Sequence, residues 1–395
     1  MSLRSIREEL GALQARGLRR RMRPIDGPQA ADIVVDGRQA VNFSSNNYLG
    51  LADHPALRQA AATAMRSHGF GAGASRLIVG NLEPHRQLEE HVARWLGAEA
   101  ALLFNSGYHA NVGIVSALVG PADGVYSDAL NHASLIDGAR LSRARIHVIP
   151  HGDVDALGRA LAAGAAFRRR LVVVDSVFSM EGDRAPLGAI VDLARRYEAL
   201  TLVDEAHAIG VLGPGGSGLA QGLPVDLRMA TFGKALGGFG AFVAGSAELV
   251  EYLVHRARSF VFTTALPVPV VAWARAAAEL CAGAEGDTLR ARLERNCSRF
   301  AAGLAALGMP AQGTHIVPLL VGDPQRAMAL TDALLQRGIF AQGVRPPTVP
   351  EGTSRLRFAL MATHEERHLD AALAALAEHR AYLTDDAASA RGAGP

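Results

Sequence analysis

The sequence predicts an α/β protein, with a mostly parallel central sheet in the larger part of the chain and a smaller α+β unit after it. Three observations carry this prediction. Between about residues 45 and 280, short apolar runs alternate with segments of helical periodicity. Runs such as Leu171-Val-Val-Val-Asp175 are continuously apolar, which suits strands covered on both faces. Beyond about residue 285 the alternation gives way to helix, strand, helix, further strands and a last helix.

The elements follow in order. Residues 1–44 read as an N-terminal segment: a helix with Ile6, Leu10 and Leu13 on one face, expected to dock, then a basic linker and the short strand pattern Ile33 to Val41. Residues 45–284 form the expected large domain. Its strands are Ala100 to Phe104, Gly124 to Ser127, Ile146 to Ile149, Leu171 to Asp175, Leu200 to Asp204 and Arg228 to Phe232. His85 to Leu96 and Leu187 to Glu198 read as helices between them. Residues 285–384 form the α+β unit, with helices at Thr288 to Leu307, Pro324 to Arg337 and Glu365 to Leu383. Its strands are Ile316 to Val321 and a group ending at Arg355 to Ala359. The tail 385–395, rich in Ala, Gly and Ser, reads as disordered.

Composition excludes several classes of function. A formal net charge of +2 gives no electrostatic footprint for nucleic acid or for an anionic membrane. Apolar stretches are broken well before the roughly 18 residues a bilayer span needs. Cys281 and Cys297 make no disulfide framework and have no metal-site spacing, so no metal is expected. The N-terminus shows no secretory apolar region, and Glu8 and Glu9 argue against a transit peptide. A cytoplasmic location is expected.

Lys234 is the one lysine among 40 basic residues; the other 39 are arginines. A bias towards arginine explains why other lysines are missing but not why this one remains. It lies in the glycine-flanked segment Met229-Ala-Thr-Phe-Gly-Lys234-Ala-Leu-Gly-Gly238. Guanidinium stays protonated, whereas a desolvated amine can lose its proton and attack a carbonyl. Strand ends of a parallel sheet share one edge, where ligands bind. Asp204 ends the strand before the one that leads to Lys234, and a carboxylate beside a reactive amine fits pyridoxal phosphate. The lysine would join the aldehyde, and the carboxylate would hold the ring nitrogen protonated. His207, three residues on, can bond the ring oxygen or the phosphate, or serve the structure alone. Ser106, Gly107 and Tyr108 open a helix after a strand, a setting that suits a phosphate. His132, in Asp128-Ala-Leu-Asn131-His132-Ala-Ser134, can stack on a flat ring.

A family resemblance rests on ordered motifs. These are Asn42-Phe-Ser-Ser-Asn-Asn-Tyr-Leu-Gly-Leu51, Asp175-Ser-Val-Phe-Ser179-Met-Glu-Gly-Asp183-Arg-Ala-Pro-Leu187, Asp204-Glu-Ala-His207 and Thr231-Phe-Gly-Lys234. The chain resembles the α-oxoamine synthases over about residues 40 to 380. The resemblance implies a homodimer of the fold type I, aspartate-aminotransferase-like architecture with pyridoxal 5'-phosphate as cofactor. Lys234 would hold the cofactor and serve as base at the amino acid's Cα, with His132 stacked on the ring and His207 and Ser179 holding its polar groups. Thr231, with Thr263 and Thr264 reaching across the dimer interface, would complete the phosphate site. Arg357 would take the amino acid's carboxylate.

Members of the family differ in amino acid and acyl thioester. The start Arg345-Pro346-Pro347 is similar to the branch that joins L-alanine to a pimeloyl thioester. Arginine forks suit the free carboxylate of pimelate, and Arg19 matches a basic position of the same branch. Three departures from the family pattern, Glu181 for Asp, Asn47 for Asp and Asp175 for Glu, are conservative. The alternatives are another α-oxoamine synthase using glycine or serine, and, more distantly, a non-catalytic cofactor-binding sensor. Whether CoA or a carrier protein carries the acyl group stays open.

Overall fold

Short Val/Leu runs become strands where polar turns bound them, and helices fill the intervals. The structure, a computed structural model, describes residues 3–309 and 311–383; the tail read as disordered lies outside them. The chain begins with α1 (Leu3–Ala15), β1 (Ile25–Asp26), β2 (Asp32–Val35) and β3 (Arg38–Asn42). Next come α2 (Pro55–His68), α3 (Glu83–Leu96), β4 (Ala100–Phe104), α4 (Gly107–Leu118), β5 (Gly124–Asp128), α5 (Ala133–Ser142) and β6 (Arg145–Ile149). They are followed by α6 (Val154–Ala163), β7 (Arg170–Asp175), α7 (Leu187–Arg196), β8 (Leu200–Asp204), β9 (Leu227–Thr231) and β10 (Ala241–Gly245). Then come α8 (Ala247–Arg256), α9 (Arg258–Val261), α10 (Val268–Ala282) and α11 (Ala284–Ala306). The last elements are β11 (Ile316–Gly322), α12 (Pro324–Gln336), β12 (Ile339–Phe340), β13 (Gly343–Val344), β14 (Ser354–Ala359) and α13 (Glu366–Glu378).

Two compact units emerge. The larger comprises Leu51–Ser179 and Arg184–Arg290; the smaller takes residues up to Gly50, Met180–Asp183 and those from Ala291 on. The division falls inside α11.

The larger unit holds a seven-stranded sheet of order β4-β10-β9-β8-β7-β5-β6. The run β9-β8-β7-β5-β6 is parallel throughout. Strand β7 shows why its sequence is apolar without alternation. Leu171 and Val173 join one core with Ile114 and Leu135, while Val172 and Val174 join another with Leu157 and Ile190. One strand escapes the sequence reading: β10 lies antiparallel between β4 and β9. Its short Ala-Phe-Val-Ala-Gly run follows a glycine-rich stretch and carries little strand signal.

The smaller unit corrects the reading of residues 1–44 as a segment of their own. β3 pairs in parallel with β12 far along the chain, giving the sheet β1-β2-β3-β12, beside a second sheet β11-β14-β13. The pattern Ile33 to Val41 is two strands. Asp36 and Gly37, at φ 50° and 78°, make the two-residue hairpin turn that Asp-Gly favours. The expected docking of the first helix is also corrected: α1 forms, but none of its residues is buried within the chain.

His364 ties the N-terminal strand to the C-terminal segment. Its Nδ1 accepts from the Met361 N–H at 3.1 Å, its Nε2 donates to the Asn42 carbonyl at 2.9 Å, and its ring lies 4.4 Å from that of Phe43. Burial lowers its pKa to about 4. Between the ordinary histidine value of 6.5 and about 4, the unfolded chain binds a proton that the folded chain refuses. This stability is therefore fully present above 6.5 and is lost as pH falls through that window, on the order of 3 kcal/mol. Urea denaturation across pH should show a shallower slope in His364→Gln than in the wild type; equal slopes would refute the assignment.

Candidate active site

Parallel pairing brings the chemistry-bearing strand ends to one edge. The register sets Asp175 beside Asp204 and Asp204 beside Met229, two residues before the end of β9. β4 runs the same way as β9, because both are antiparallel to β10. Ser106, His132, Ser179, His207 and Lys234 therefore all follow C-terminal strand ends of one sheet.

Lys234 lies in the connection from β9 to β10. Gly237 in that connection has φ 62°, and a Cβ there would come within 2.4 Å of the Leu51 and Ala52 backbone, so only glycine fits. Lys234 Nζ is 2.8 Å from His207 Nε2. The structure thus pairs His207 with the reactive amine, a contact that the sequence alone did not indicate. Thr231 ends β9, its hydroxyl donating to the Gly240 carbonyl at 2.8 Å and accepting from the Gly233 N–H at 3.1 Å. That bond closes the base of the lysine loop.

Asp204 is buried, with Oδ1 accepting from the Ala206 N–H at 2.8 Å and Oδ2 from Asn111 Nδ2 at 2.7 Å. Asp175 accepts from the His132 N–H at 2.6 Å. Burial, and then the neighbouring Asp204 charge, push the Asp175 carboxyl well above the ordinary range. His132 caps the N-terminus of α5; burial lowers its pKa, Lys234 acts in the same direction, and Asp204 and Asp137 oppose it. A neutral imidazole results.

Ser106 caps α4, its hydroxyl accepting from the His109 N–H. The first intrahelical bond is from the Ala110 N–H to the Ser106 carbonyl, so the amides of Gly107 and Tyr108 precede it. A Cβ on Gly107 would meet only the Met229 thioether, at 3.8 Å, which leaves the turn open to close approach. Tyr108 is half-exposed, and its hydroxyl donates to Asp137 at 2.7 Å. Asn105 donates to the Thr263 hydroxyl at 3.0 Å and to the Thr264 carbonyl at 2.9 Å. Within the chain these threonines therefore sit beside its own phosphate-side turn. Ser179 lies four residues past β7, half-buried.

The donor set fits pyridoxal phosphate. The edge offers an amine for the aldehyde, a buried carboxylate for the ring nitrogen, a neutral ring to stack, and a helix N-terminus with hydroxyls for the phosphate.

The arginines belong to the smaller unit. Arg357, on β14, donates to Asn46 Oδ1 and to the Tyr48 hydroxyl, each at 3.1 Å. Arg345 donates to the Arg19 carbonyl at 2.7 Å. Arg345 and Arg19 line a cleft of about 900 Å³ with Arg20, Arg21 and Arg23. Arg21 and Arg23 pair with Asp36, whereas Arg20 bonds the Thr348 hydroxyl. Glu181, one departure from the family pattern, pairs with Arg355 at 2.9 Å.

Asn111, Ser134 and Glu205 were missed as candidates. Glu205 accepts from the Leu219 and Ala220 amides and from the Ser176 hydroxyl, anchoring the loop that follows His207. Its place directly after Asp204 was the signal available.

The aminotransferase class I and II family model matches residues 38–376. An 8-amino-7-oxononanoate synthase from Geobacter sulfurreducens is 54% identical over 380 residues, 95% of this chain and 97% of that protein. A serine palmitoyltransferase from S. paucimobilis superposes with a TM-score of 0.91 at 30% identity, covering 97% of this chain and 99% of that one. An 8-amino-7-oxononanoate synthase structure from Francisella tularensis gives 0.74 at 27% identity, covering 87% of this chain and 98% of that one. The backbone likeness favours one relative and the sequence the other; at these values both share the fold, and side-chain identity is what separates substrates. The chain belongs to the aminotransferase class I and II family and, within it, to the α-oxoamine synthases alongside the 8-amino-7-oxononanoate synthases.

Proposed function

We propose that the chain catalyses the pyridoxal-phosphate-dependent condensation of L-alanine with a pimeloyl thioester, giving 8-amino-7-oxononanoate, carbon dioxide and free thiol, a step of biotin synthesis. The observation that carries this reading is 54% identity to such a synthase over 95% of the chain. Bound pyridoxal phosphate supplies an aldehyde that joins amines and a ring that takes up the electron pair left at an amino acid's Cα.

The chain's residues do the rest. Lys234 Nζ would hold the cofactor through its aldehyde and, as a free amine, would accept the Cα proton of alanine. His207, 2.8 Å from that amine, orients it and, with Ser179, holds polar groups of the cofactor. Asp204 keeps a negative charge beside the ring nitrogen, and His132 offers its uncharged face. Ser106, Gly107, Tyr108, Thr231, Thr263 and Thr264 hold the phosphate. Arg357 would take the alanine carboxylate, which leaves as carbon dioxide after the Cα has joined the acyl carbon and displaced the thiol; the electron pair left at Cα by that loss then takes a proton, which Lys234 is placed to return. Arg19 and Arg345 take the distal carboxylate of the pimeloyl chain.

A serine palmitoyltransferase reading is favoured by the 0.91 superposition. The cleft argues against it: a plain alkyl chain would leave Arg19, Arg20 and Arg345 facing hydrocarbon, where unpaired cations are costly. A pimeloyl carboxylate would pair with them. Burial and Arg20 lower the Arg345 pKa, the situation an anion relieves.

We also read the enzyme as a homodimer. Phe70, Ile78, Val79, Phe239 and Phe262 are exposed large apolar side chains of the larger unit, and such surface favours a partner. Among the described residues no helix is long and apolar enough to cross a membrane. A cytoplasmic location fits the two free cysteines.

The test is thiol release across a matrix of amino acids and acyl donors, with both CoA and carrier-protein thioesters. Alanine with a pimeloyl donor should give the highest kcat/KM, and a preference for serine with palmitoyl-CoA would overturn the reading. Arg345→Ala should raise the KM for the pimeloyl donor by about tenfold or more, the loss expected for one charge-assisted hydrogen bond, and leave that for alanine within twofold. An equal loss for both substrates would contradict the assigned role.

A further inference from the structure

Asp204 and His132, the groups read above as flanking the cofactor ring, are joined by a chain of hydrogen bonds through two residues that reach neither substrate nor cofactor in that reading. Asn111 is fully buried on α4. Its side-chain nitrogen lies 2.7 Å from Asp204 Oδ2 and 2.9 Å from Ser134 Oγ. An amide nitrogen has two hydrogens, and both are used here. Turning the amide over would place its oxygen against the carboxylate, two acceptors in contact, so the Asp204 charge fixes its orientation.

Ser134 takes the next step. Its hydroxyl accepts from Asn111, and its single hydrogen is then free to donate to His132 Nδ1, 2.8 Å away. The Ser134 backbone N–H also points at Nδ1, at 3.2 Å. A backbone N–H can only donate, so Nδ1 must present its lone pair and the ring proton sits on Nε2. A second proton on Nδ1 would meet two donors. The α4–α5 approach that permits this depends on Gly138, where a Cβ would lie 3.0 Å from the Asn111 carbonyl and 3.2 Å from the Val112 Cα.

We propose that Asn111 and Ser134 are positioning residues that aim the Asp204 carboxylate and fix His132 as the Nε2–H tautomer, keeping the ring uncharged and reserving Asp204 for the cofactor's ring nitrogen. The inference rests on the cofactor reading of this edge. The charged groups facing His132 are Asp204 at the end of β8, Lys234 after β9 and Asp137 on α5, while Asp175 holds its backbone N–H. Two of these are acids that would welcome a cationic imidazole. A protonated His132 would turn Asp204 into its own counter-ion and compete with the cofactor, and the two donors on Nδ1 oppose that outcome.

Histidine-ring 15N NMR on the full chain without cofactor reads the tautomer directly, with His132 identified by the signal lost in His132→Asn. The wild type should show an unprotonated Nδ1 and a protonated Nε2, and should stay neutral below the pH at which ordinary histidines titrate. Ser134→Ala keeps the backbone N–H at Nδ1 and should therefore keep the Nε2–H tautomer, but the loss of the hydroxyl's hydrogen bond to the neutral ring should move the titration midpoint up towards the ordinary range. Ser134→Thr, which keeps the hydroxyl, should retain the wild-type pattern. Asn111→Leu should act as Ser134→Ala does; if it fails to fold, the serine pair still decides. In the holoenzyme, Ser134→Ala should weaken pyridoxal phosphate binding about tenfold and move the acid limb of kcat/KM to higher pH. A wild-type Nδ1–H tautomer, or an unchanged His132 titration in Ser134→Ala, overturns the proposal. A wild-type chain with the expected tautomer but no affinity for pyridoxal phosphate overturns the cofactor reading instead, a failure that the cofactor-free NMR keeps separate.

Discussion

Lys234→Ala is expected to abolish the visible absorbance of lysine-bound cofactor and to lower condensation by at least about 10²–10⁴-fold, the contribution of a positioned base. The fall should exceed that of any other single substitution, because in the proposed reaction Lys234 both anchors the cofactor and moves the Cα proton. The loop that carries it needs no lysine for its fold. Thr231 closes its base through the Gly240 carbonyl, and Gly237 fits against the Leu51 and Ala52 backbone. Circular dichroism and thermal unfolding of the apo variant should therefore match the wild type. Because Lys234 is the one lysine in the chain, borohydride reduction with cofactor bound should label a single peptide. A variant that released thiol at the wild-type rate would remove the residue from the mechanism.

Asp204→Asn should lower kcat by on the order of 10²–10³-fold, the range seen when a preorganised electrostatic partner is lost. An amide cannot hold the ring nitrogen protonated as a carboxylate does. It also has a single acceptor oxygen, while the site presents two donors, the Ala206 N–H and the Asn111 amide. One of them would be left unsatisfied and buried, at a cost of about 1–3 kcal/mol in stability. Both kinetics and thermal unfolding should thus respond, unlike in Lys234→Ala. Retained kcat with lowered stability would mean that Asp204 serves the fold alone.

Much of this was legible in the sequence, for reasons that differ from residue to residue. The parallel strands β7 and β8 announce themselves because both faces are covered, so Leu171 to Val174 and Leu200 to Val203 need no polar alternation. Lys234 stands out by composition, and Asp204 by its place at the neighbouring strand end. β10 stayed hidden because a strand protected by two neighbours needs little of its own hydrophobic bulk, and its alanines and glycine give no period. The β2–β3 hairpin was missed although Asp36-Gly37 is a strong turn signal; the apolar residues on either side read as one run. The membership of residues 1–44 in the smaller unit depends on a parallel pairing with β12 and on His364 reaching the Asn42 carbonyl. Partners 322 positions apart leave no local trace. Asn111 was invisible for the same reason: its role lies in contacts with Ser134 and Asp204, 23 and 93 positions away.

Carbon dioxide release from carboxyl-labelled alanine tests the central claim most directly. Holoenzyme given L-alanine labelled with 13C at the carboxyl carbon and pimeloyl-CoA should release one labelled carbon dioxide for each thiol, and form a product with the mass of 8-amino-7-oxononanoate. Thiol release without labelled carbon dioxide, or no turnover of alanine with any pimeloyl donor, would contradict it.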